Sequence, residues 1–492
     1  MNPSPPPATP QAVLETLEGL YRTQPTNLPA IAEAGLHAQR LGMEEASRGA
    51  FDHTTDLLRR IIAVGHAEAA LEAELMIYKA FVKAVEDEDH YEQAFARWRE
   101  PMAALGRRHA RPLASGARDT RKIAFVFHSG TVLGHTEVLL RLLENLDRSR
   151  FEARVFTVSI STPEFNQRVA RIGIALETFP EVAGAPHTGM VERMKWLRGR
   201  IDALGYACAV WVSLPIAATF LFAMRVAPVQ IFWSLKHHPV RLPEIDGYIT
   251  YGSWGEREKT FHGQVWQVAP VPLALDPRVV TPGARADIRA KYPHRILLGS
   301  LAREEKIDSR PFLEAVATIL EHNPDAGYLW TGRNFHPGIA AFFAGRGLAQ
   351  RAHFVGWVDT AVYAAALDLF LETFPFGCGI TGYQALAAGV PLVSYLEENT
   401  VFGMQYWSDV MERGGSKATV SRELLDQYPV LCARNPAEYV EIVDRMLGDP
   451  AFRESWRERE SAHFQDEIRN IARYSERFFQ TIAAIAARKA AA

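Results

Sequence analysis

Residues 369–394 read LFLETFPFGCGITGYQALAAGVPLVS, and this stretch decides the predicted fold. An apolar run of strand length comes first, followed by a glycine-rich turn and a short alanine-rich helix. Gly389 and Pro391 end that helix, and Leu392 begins a further strand. The pattern predicts a strand–loop–helix–strand unit that presents the first free N–H groups of a helix to an anion. Thr381 could add a hydroxyl donor, although the glycines alone are equally typical of a tight turn in any α/β protein.

The composition is that of a soluble globular protein. The chain has 492 residues, which predicts two or three domains, and 48% of them are apolar and 23% charged. A formal net charge of −3 gives no electrostatic reason to expect nucleic acid or an anionic membrane as a partner. Cys208, Cys378 and Cys432 are far apart and odd in number, which indicates neither a disulfide framework nor a metal site. The first residues lack the basic and apolar parts of a signal peptide, so we expect a soluble cytoplasmic protein without stable membrane insertion.

The pattern of the chain divides it into three predicted domains. Residues 11–108 have helical periodicity, which predicts a small all-α domain over 1–115, either a scaffold or a docking surface for a partner protein. Residues 120–275 alternate strands with helices and begin with a buried strand at 122–128, which predicts a parallel sheet covered on both faces. A second alternating series predicts a similar domain over 276–492, with helices at its end. The predicted fold class is therefore α/β, with two Rossmann-like domains after an all-α domain.

Two segments resemble a known enzyme family. The pattern Phe-Pro-Phe-Gly-x-Gly-x-Thr-Gly within 369–394 resembles the donor-phosphate segment of the glycosyltransferases that include O-GlcNAc transferase and the bacterial cytoplasmic N-glycosyltransferases of adhesins. Residues 225–239, with Ala-Pro-x-Gln followed by Trp233 and a polar loop, are similar to the first Rossmann half of that family. The resemblance covers residues 122–470. It implies the two-domain GT-B architecture, a UDP-sugar as donor substrate, a protein or peptide acceptor, and neither cofactor nor metal ion.

Lys306 is the candidate for stabilising the leaving group. It follows the predicted strand 295–300 in the string LAREEKID, residues 301–308. Transfer of a sugar from a nucleotide builds negative charge on the diphosphate, which a preorganised cation stabilises. A lone lysine in such a loop is more often an exposed charge, but Lys306-Ile307-Asp308 is similar to the donor-phosphate lysine motif of the family. Arg303 is the second candidate in this loop.

Two histidines flank the loop after the predicted strand 122–128. His128 and His135 could orient an acceptor, bind the sugar or act as a general base. Each could equally be a histidine bonded to backbone at the start of a helix. Histidine-bearing loops occur at the equivalent place in the resembled family. We prefer His135 as the catalytic histidine because it lies next to the expected helix N-terminus, and we keep His128 as the second choice.

The remaining candidate site residues follow from the resemblance. Lys236 and His237 are expected on the acceptor or sugar side. We do not expect His237 and His238 to chelate a metal, because adjacent residues of a strand point to opposite faces. Loop backbone at Gly356 and Trp357 is expected to contact the nucleotide base, where the indole could stack or pack in the core. The other residues assigned to the donor are Gly379, Ile380, Thr381, Gly382 and Gln384.

The sequence departs from the family pattern at several positions, which leaves the nucleotide sugar and the acceptor open. Gln384 stands where the family usually has an acidic residue that can bind ribose hydroxyls, and Ile380 stands where a second threonine or an asparagine is common. The predicted strand 210–213 lacks the acidic group that O-GlcNAc transferases carry nearby. The predicted function is inverting, metal-independent transfer of a hexose, glucose or GlcNAc, from a UDP-sugar to a protein or peptide. A glycan or lipid-linked acceptor, and a degenerate module that serves only as a partner, remain the alternatives.

Overall fold

The protein divides into two compact units. The first comprises Met1–Val271 together with Ala472–Ala492, and the second comprises Pro272–Ile471. The computed structural model describes residues 9–81, 88–114, 118–180, 188–212, 215–235, 238, 240–273, 280–397, 400, 402–403, 406–407, 410 and 415–491.

The first unit begins with helices. They are α1 (Pro10–Thr23), α2 (Leu28–Arg40), α3 (Glu44–Val64), α4 (Ala67–Ala80) and α5 (Glu88–Arg107). The side chains of Thr9 and Asn27 accept backbone N–H groups at the starts of α1 and α2, and both helices carry proline in the first turn. Gly65, with a left-handed backbone, ends α3. The described residues of this region form helices and the turns between them, without a strand, as the periodicity predicts.

A mostly parallel sheet follows the helices. Its strands are β1 (Asp119–Phe127), β2 (Glu152–Thr157), β3 (Ala175–Thr178), β4 (Tyr206–Val212), β5 (Val229–Trp233), β6 (Gly247–Thr250), β7 (Glu258–Phe261) and β8 (Gln264–Val268). The spatial order is β3-β2-β1-β4-β5-β6-β8-β7, and only β7 pairs antiparallel, with β8. Every residue of β4 and β5 is buried, which explains why β4 reads as a continuous apolar run in the sequence.

The helical region and the first sheet share one hydrophobic core. The helices between strands β1 and β5 are α6 (Gly134–Glu144), α7 (Pro163–Ile172), α8 (Met190–Ala203) and α9 (Ala218–Ala223). Helix α5 lies so close to α9 that a side chain added at Gly106 would come within 2.4 Å of the Phe220 carbonyl oxygen. Buried residues of the helical region, such as Trp98, belong to the same apolar cluster as Trp211 of β4. The all-α segment therefore does not form a compact unit by itself.

The second unit contains a six-stranded parallel sheet. Its strands are β9 (Ile296–Ser300), β10 (Ala326–Trp330), β11 (Ala352–Phe354), β12 (Leu369–Leu371), β13 (Leu392–Tyr395) and β14 (Leu431–Ala433). Its helices are α10 (Pro282–Arg289), α11 (Glu304–Ile307), α12 (Arg310–His322), α13 (Pro337–Gly345), α14 (Thr360–Ala366), α15 (Ile380–Ala387), α16 (Arg422–Leu425), α17 (Pro436–Gly448) and α18 (Pro450–Arg469). The strand order is β11-β10-β9-β12-β13-β14. The predicted α/β fold class, with two parallel sheets after a helical region, is confirmed.

The last helix, α19 (Ile471–Ala491), returns to the first unit. The sequence predicts a last domain over 276–492, and the structure differs from Ala472 onwards. Apolar contacts explain the difference: the ring of Phe478 lies 5.0 Å from Trp233, and that of Phe479 lies 6.0 Å from Phe125. The Ser475 hydroxyl also donates to the carbonyl of Leu142 at 2.8 Å.

Candidate functional site

The second sheet reverses its strand order between β9 and β12. In open parallel sheets, ligands bind at the carboxyl ends of the strands where the order reverses, because the loops diverge there. The loop after β9 carries Lys306, and the loop after β12 carries the glycine-rich turn. The structure thus brings together, at one edge of one sheet, the two segments to which the sequence assigned donor binding. We call these two loops and the start of α15 the second-sheet site.

Lys306 joins these two loops directly. It lies in α11, a single turn, and Arg303 immediately precedes that helix. The Lys306 ammonium group donates to the carbonyl oxygen of Gly377 in the glycine-rich turn. The positive charge therefore lies against the loop that leads into α15, within the second-sheet site.

Gly379 gives the turn its shape. Its φ of 73° and ψ of −135° are disfavoured for residues with a side chain, and helix α15 begins at the next residue, Ile380. The first N–H groups of an α-helix have no acceptor within the helix, so they form a site of partial positive charge. Gly382 also lies in this first turn, but its N–H donates to the carbonyl of Gly379 at 3.2 Å, so the N–H groups offered to an anion are those of Ile380 and Thr381. The start of α15 can therefore bind an anion through its backbone.

The Thr381 hydroxyl serves to hold the loop in place. Its Oγ1 lies 2.5 Å from the carbonyl oxygen of Leu301 and 3.2 Å from that of Cys378, and it donates to these acceptors. This contact connects α15 to the residue that follows β9. A hydroxyl has one hydrogen, so an anion at the second-sheet site would face the N–H groups of α15 and not the hydroxyl hydrogen as placed here.

Other polar side chains brace the loop after β10 against the loop after β9. The buried Glu304 carboxylate accepts the backbone N–H groups of Arg333 at 2.8 Å and Asn334 at 3.3 Å. Thr331 donates its hydroxyl to the carbonyl of Ala302 at 2.7 Å. Such side-chain to backbone bonds fix the loop positions and leave the edge preorganised.

Gly356 and Trp357 lie in the loop after β11, at the same edge of the sheet. Gly356 has a φ of 77°, and its carbonyl accepts the N–H of Gly332 at 3.4 Å. Trp357 is 63% exposed, so it does not pack in the core. The guanidinium carbon of Arg333 lies 5.4 Å from the centroid of its ring, which is a cation–π distance. An exposed indole held in this way offers a flat face to an aromatic ligand.

Gln384 carries an unsatisfied polar atom in the second turn of α15. Its Oε1 is buried and has no hydrogen-bond partner within the part of the chain that the structure describes. Buried polar atoms are nearly always hydrogen-bonded, so this oxygen has the capacity to accept from a donor that is not part of the chain. A hydroxyl group would satisfy it.

Sequence reasoning missed three buried polar residues that support the second-sheet site. Besides Glu304, these are His336, whose Nε2 lies 3.5 Å from Asp308, and Glu372, which accepts the Ser394 hydroxyl at 2.5 Å. Glu372 could have been recognised from the sequence, because it is a charged residue at the end of an otherwise apolar strand. His336 had little signal, because its partner lies in a different loop.

His128 lies directly after β1 in the first unit. Its Nδ1 lies 3.0 Å from the Ser129 hydroxyl oxygen, and its Nε2 is buried with no hydrogen-bond partner among the described residues. Burial, together with the nearby charges of Lys79 and Arg193, lowers the pKa of His128 to about 4. The imidazole is therefore neutral at pH 7.

Of the other first-unit candidates, the structure describes His135. His135 is the second residue of α6 and is partly exposed. Lys236 and His237 lie outside the described residues. Their neighbour His238 is buried, and its Nδ1 lies 2.6 Å from the hydroxyl oxygen of Ser234.

The described residues contain no group of three or more His, Cys, Asp or Glu side chains that could hold a metal ion. Among the described helices, none is both long and apolar enough to cross a membrane. The three cysteines are free and buried.

Comparison with known proteins shows the fold. No family model and no curated protein matches the sequence. Among solved structures, a mutant of the O-GlcNAc transferase of Thermobaculum terrenum matches with a TM-score of 0.55 and 15% identity, over 97% of this chain and 95% of that one. Anabaena HepE in complex with UDP and glucose matches with a TM-score of 0.52 and 12% identity, over 74% of this chain and all of that one (100%). The chain has the α/β fold of GT-B glycosyltransferases.

Proposed function

We propose that this protein is a glycosyltransferase that moves a hexose, glucose or GlcNAc, from a UDP-sugar to a protein or peptide acceptor in the cytoplasm. The observation that carries the proposal is the contact of Lys306 with the Gly377 carbonyl, which puts a cation beside the N-terminus of α15. A lysine and a helix N-terminus at one sheet edge form a binding site for a diphosphate. The names of the two similar structures, one a transferase and one a complex with UDP and glucose, agree with this choice of ligand.

During sugar transfer, the second-sheet site would stabilise the leaving group. When the bond between the sugar and UDP breaks, negative charge grows on the terminal phosphate. The Lys306 ammonium and the first N–H groups of α15 would face that charge without reorganisation, because the surrounding loops are already braced. In this proposal the reaction inverts the anomeric configuration of the sugar. It needs no metal ion, since Lys306 supplies the positive charge. Arg303, just before α11, would add a further positive charge nearby.

The nucleoside would occupy the neighbouring loops of the same edge. Gln384 would accept a hydroxyl of the ribose through its unsatisfied Oε1. The exposed face of Trp357 and the backbone of Gly356 would contact the base. These assignments use only second-unit residues.

Acceptor chemistry would involve the first unit. A general base takes the proton of the acceptor nucleophile, and a useful base has a pKa near the working pH. The pKa of His128, about 4, makes it a poor base at pH 7. We therefore propose His135 as the base, and we place Lys236 and His237 on the acceptor or sugar side.

The test is a binding panel followed by a transfer assay. Thermal unfolding is measured with UDP-, GDP- and dTDP-sugars, and the best donor is then incubated with peptide libraries, glycans and lipid-linked saccharides. We expect stabilisation by a UDP-hexose and sugar transfer to peptide with inverted anomeric configuration. Transfer only to a glycan or lipid would overturn the peptide acceptor, and donor binding without any transfer would favour a catalytically degenerate partner module. Stabilisation by none of the nucleotide sugars would overturn the proposal itself.

A further inference from the structure

The first unit contains a cavity of about 250 Å³ where its own strand order reverses. Helix α4 forms one wall, and the residues after β1, β2 and β4 and at the start of α8 form the others. The residues that line it include Leu75, Lys79, His128, Ser129, Ser159 and Arg193. A volume of this size holds an amino-acid side chain with its backbone, and it is smaller than the usual pocket for a drug-sized ligand.

Two glutamates of α4 hold the walls in place. The Glu68 carboxylate accepts the backbone N–H groups of Met190 and Val191 at the start of α8. Glu74 accepts the N–H of Ala217 at 3.0 Å, and Ala217 has a φ of 60°, which is unusual for a residue with a side chain. Burial raises the pKa of Glu74 to about 7. Because both carboxylates are bonded to backbone, the cavity is fixed between α4 and the sheet edge.

The charges that act on the His128 imidazole are positive, which favours an anion beside it. Arg193 is buried and is held by the carbonyl of Thr188, at 2.9 Å from its Nε. Lys79 is exposed at the rim, and the charges of Lys79 and Arg193 both act on His128. Two carboxylates also line the cavity: Glu68, which is bonded to the helix N-terminus, and Glu72, which is exposed.

The imidazole itself has capacity for a ligand. Its Nδ1 faces the Ser129 hydroxyl, whereas its buried Nε2 has no partner among the described residues. If Ser129 donates to Nδ1, the hydrogen of the neutral ring is on Nε2, which then needs an acceptor. A carboxylate would supply that acceptor and would also pair with Lys79. Leu75, on the same wall, would contact the aliphatic part of such a ligand.

We propose that this cavity binds an acidic side chain of the acceptor polypeptide, with the carboxylate between His128 and Lys79. The proposal rests on the proposed function for the identity of the acceptor. It assigns the helical region a direct share in substrate choice through α4, and it predicts a preference for acceptors with an aspartate or glutamate near the modified residue.

Two matched probes test the cavity. N-acetyl-aspartate N-methylamide carries one carboxylate, and N-acetyl-asparagine N-methylamide is its neutral counterpart. Each is titrated into full-length protein with ¹⁵N-labelled histidines, and the His128 signals, assigned with His128→Gln, are followed by NMR. We expect millimolar binding of the aspartate probe, a rise in the pKa of His128 when it binds, and roughly tenfold weaker binding of the asparagine probe.

Lys79→Gln serves as the variant and Lys122→Gln as its control. Lys122 lies near the amino end of β1, at the edge of the sheet opposite to His128. Lys79→Gln should weaken the aspartate probe severalfold and Lys122→Gln should not. Equal shifts with both probes, no shift at 50 mM, or wild-type affinity in Lys79→Gln would overturn the site. Tighter binding of glucuronate than of the aspartate probe would overturn the polypeptide assignment.

The experiment is independent of sugar transfer. It uses no nucleotide sugar, so failure of the proposed transferase function would leave the probe titration unaffected. Conversely, a negative probe titration would leave UDP binding in the second unit untouched.

Discussion

The first six strands of each sheet have the same order, but the chemistry at the point of reversal differs. They follow the spatial order third, second, first, fourth, fifth, sixth and reverse next to the first strand, and the first sheet adds β8 and β7 at its end. In the second unit, the loops at the reversal carry glycine, a lysine and the start of a helix. In the first unit, the same place is covered by α4 and contains a buried imidazole. Topology thus determines where polar loop ends meet, and the residues in those loops determine which ligand they suit.

The difference also concerns what the carboxylates do. In the first unit, Glu68 occupies the N–H groups at the start of α8, and that helix end is satisfied from within the chain. In the second unit, Glu304 bonds the loop after β10, and a lysine lies near the start of α15. One helix start is neutralised and the other is reinforced with positive charge. Only the second is suited to a diphosphate.

Replacing Lys306 with alanine should produce the largest effect. One charge-assisted contact that strengthens as UDP leaves is worth about 3 kcal/mol, so we expect kcat to fall on the order of a hundredfold. Thermal unfolding should be unchanged, because the lysine is partly exposed. The matched control is Lys291→Ala, an exposed lysine of the same unit. A wild-type kcat in Lys306→Ala would show that this lysine does not stabilise the leaving group, and the proposed difference in ligand between the two sheets would lose its main support.

Gly379→Ala should produce the next largest effect. Open space surrounds the position of the added methyl group, so the cost comes from the backbone at φ 73° and amounts to about 1–3 kcal/mol. We expect UDP affinity, measured by calorimetry, to fall roughly tenfold as the turn shifts. Gly345→Ala, at the end of α13, also adds a methyl group in open space but has no positive φ. If both variants bind UDP with equal affinity, the backbone conformation of the turn does not contribute to UDP binding.

Gln384→Met should have a smaller effect that depends on the ribose. A net hydrogen bond contributes about 0.5–1.5 kcal/mol, so we expect a two- to tenfold loss of UDP affinity. The same titrations are made with 2′-deoxy- and 3′-deoxy-UDP. One of these ligands should bind wild type and variant almost equally, because its missing hydroxyl is the one that Gln384 accepts. Equal losses with all three ligands would exclude this contact.

Chelation should have no effect on the rate. The proposal assigns the role of a cation to Lys306 and the helix N-terminus, so EDTA should leave transfer unchanged. A sample treated with EDTA and resupplied with manganese or magnesium is the control. A rate that falls with EDTA and recovers with metal would contradict the assignment.

The fold could be predicted because the signals were local. The segment 369–394 forms β12, the glycine turn, α15 and the start of β13, as its pattern indicates. Lys306 was also assigned to the loop after β9, where the structure has it. Its contact with Gly377 was not predictable from spacing, because the two residues meet only through the parallel pairing of β9 with β12.

The parts that could not be predicted depend on contacts distant in sequence. The sharing of one core by α5 and α9 depends on a glycine, Gly106, that has no distinctive neighbours. The return of α19 to the first unit depends on Phe478 and Phe479, which in the sequence look like ordinary apolar positions of an amphipathic helix. The carboxylate of Glu74 reaches Ala217, and no local pattern joins those two residues.

The central claim is that the two points of strand-order reversal bind different ligands. Amide hydrogen exchange, measured with and without UDP, tests this claim most directly. The amides of residues 377–383 should exchange more slowly with UDP bound, since the first N–H groups of α15 would bond to phosphate. The amides of residues 128–135, in the first unit, should be unchanged. Protection at 128–135 without protection at 377–383 would contradict the account.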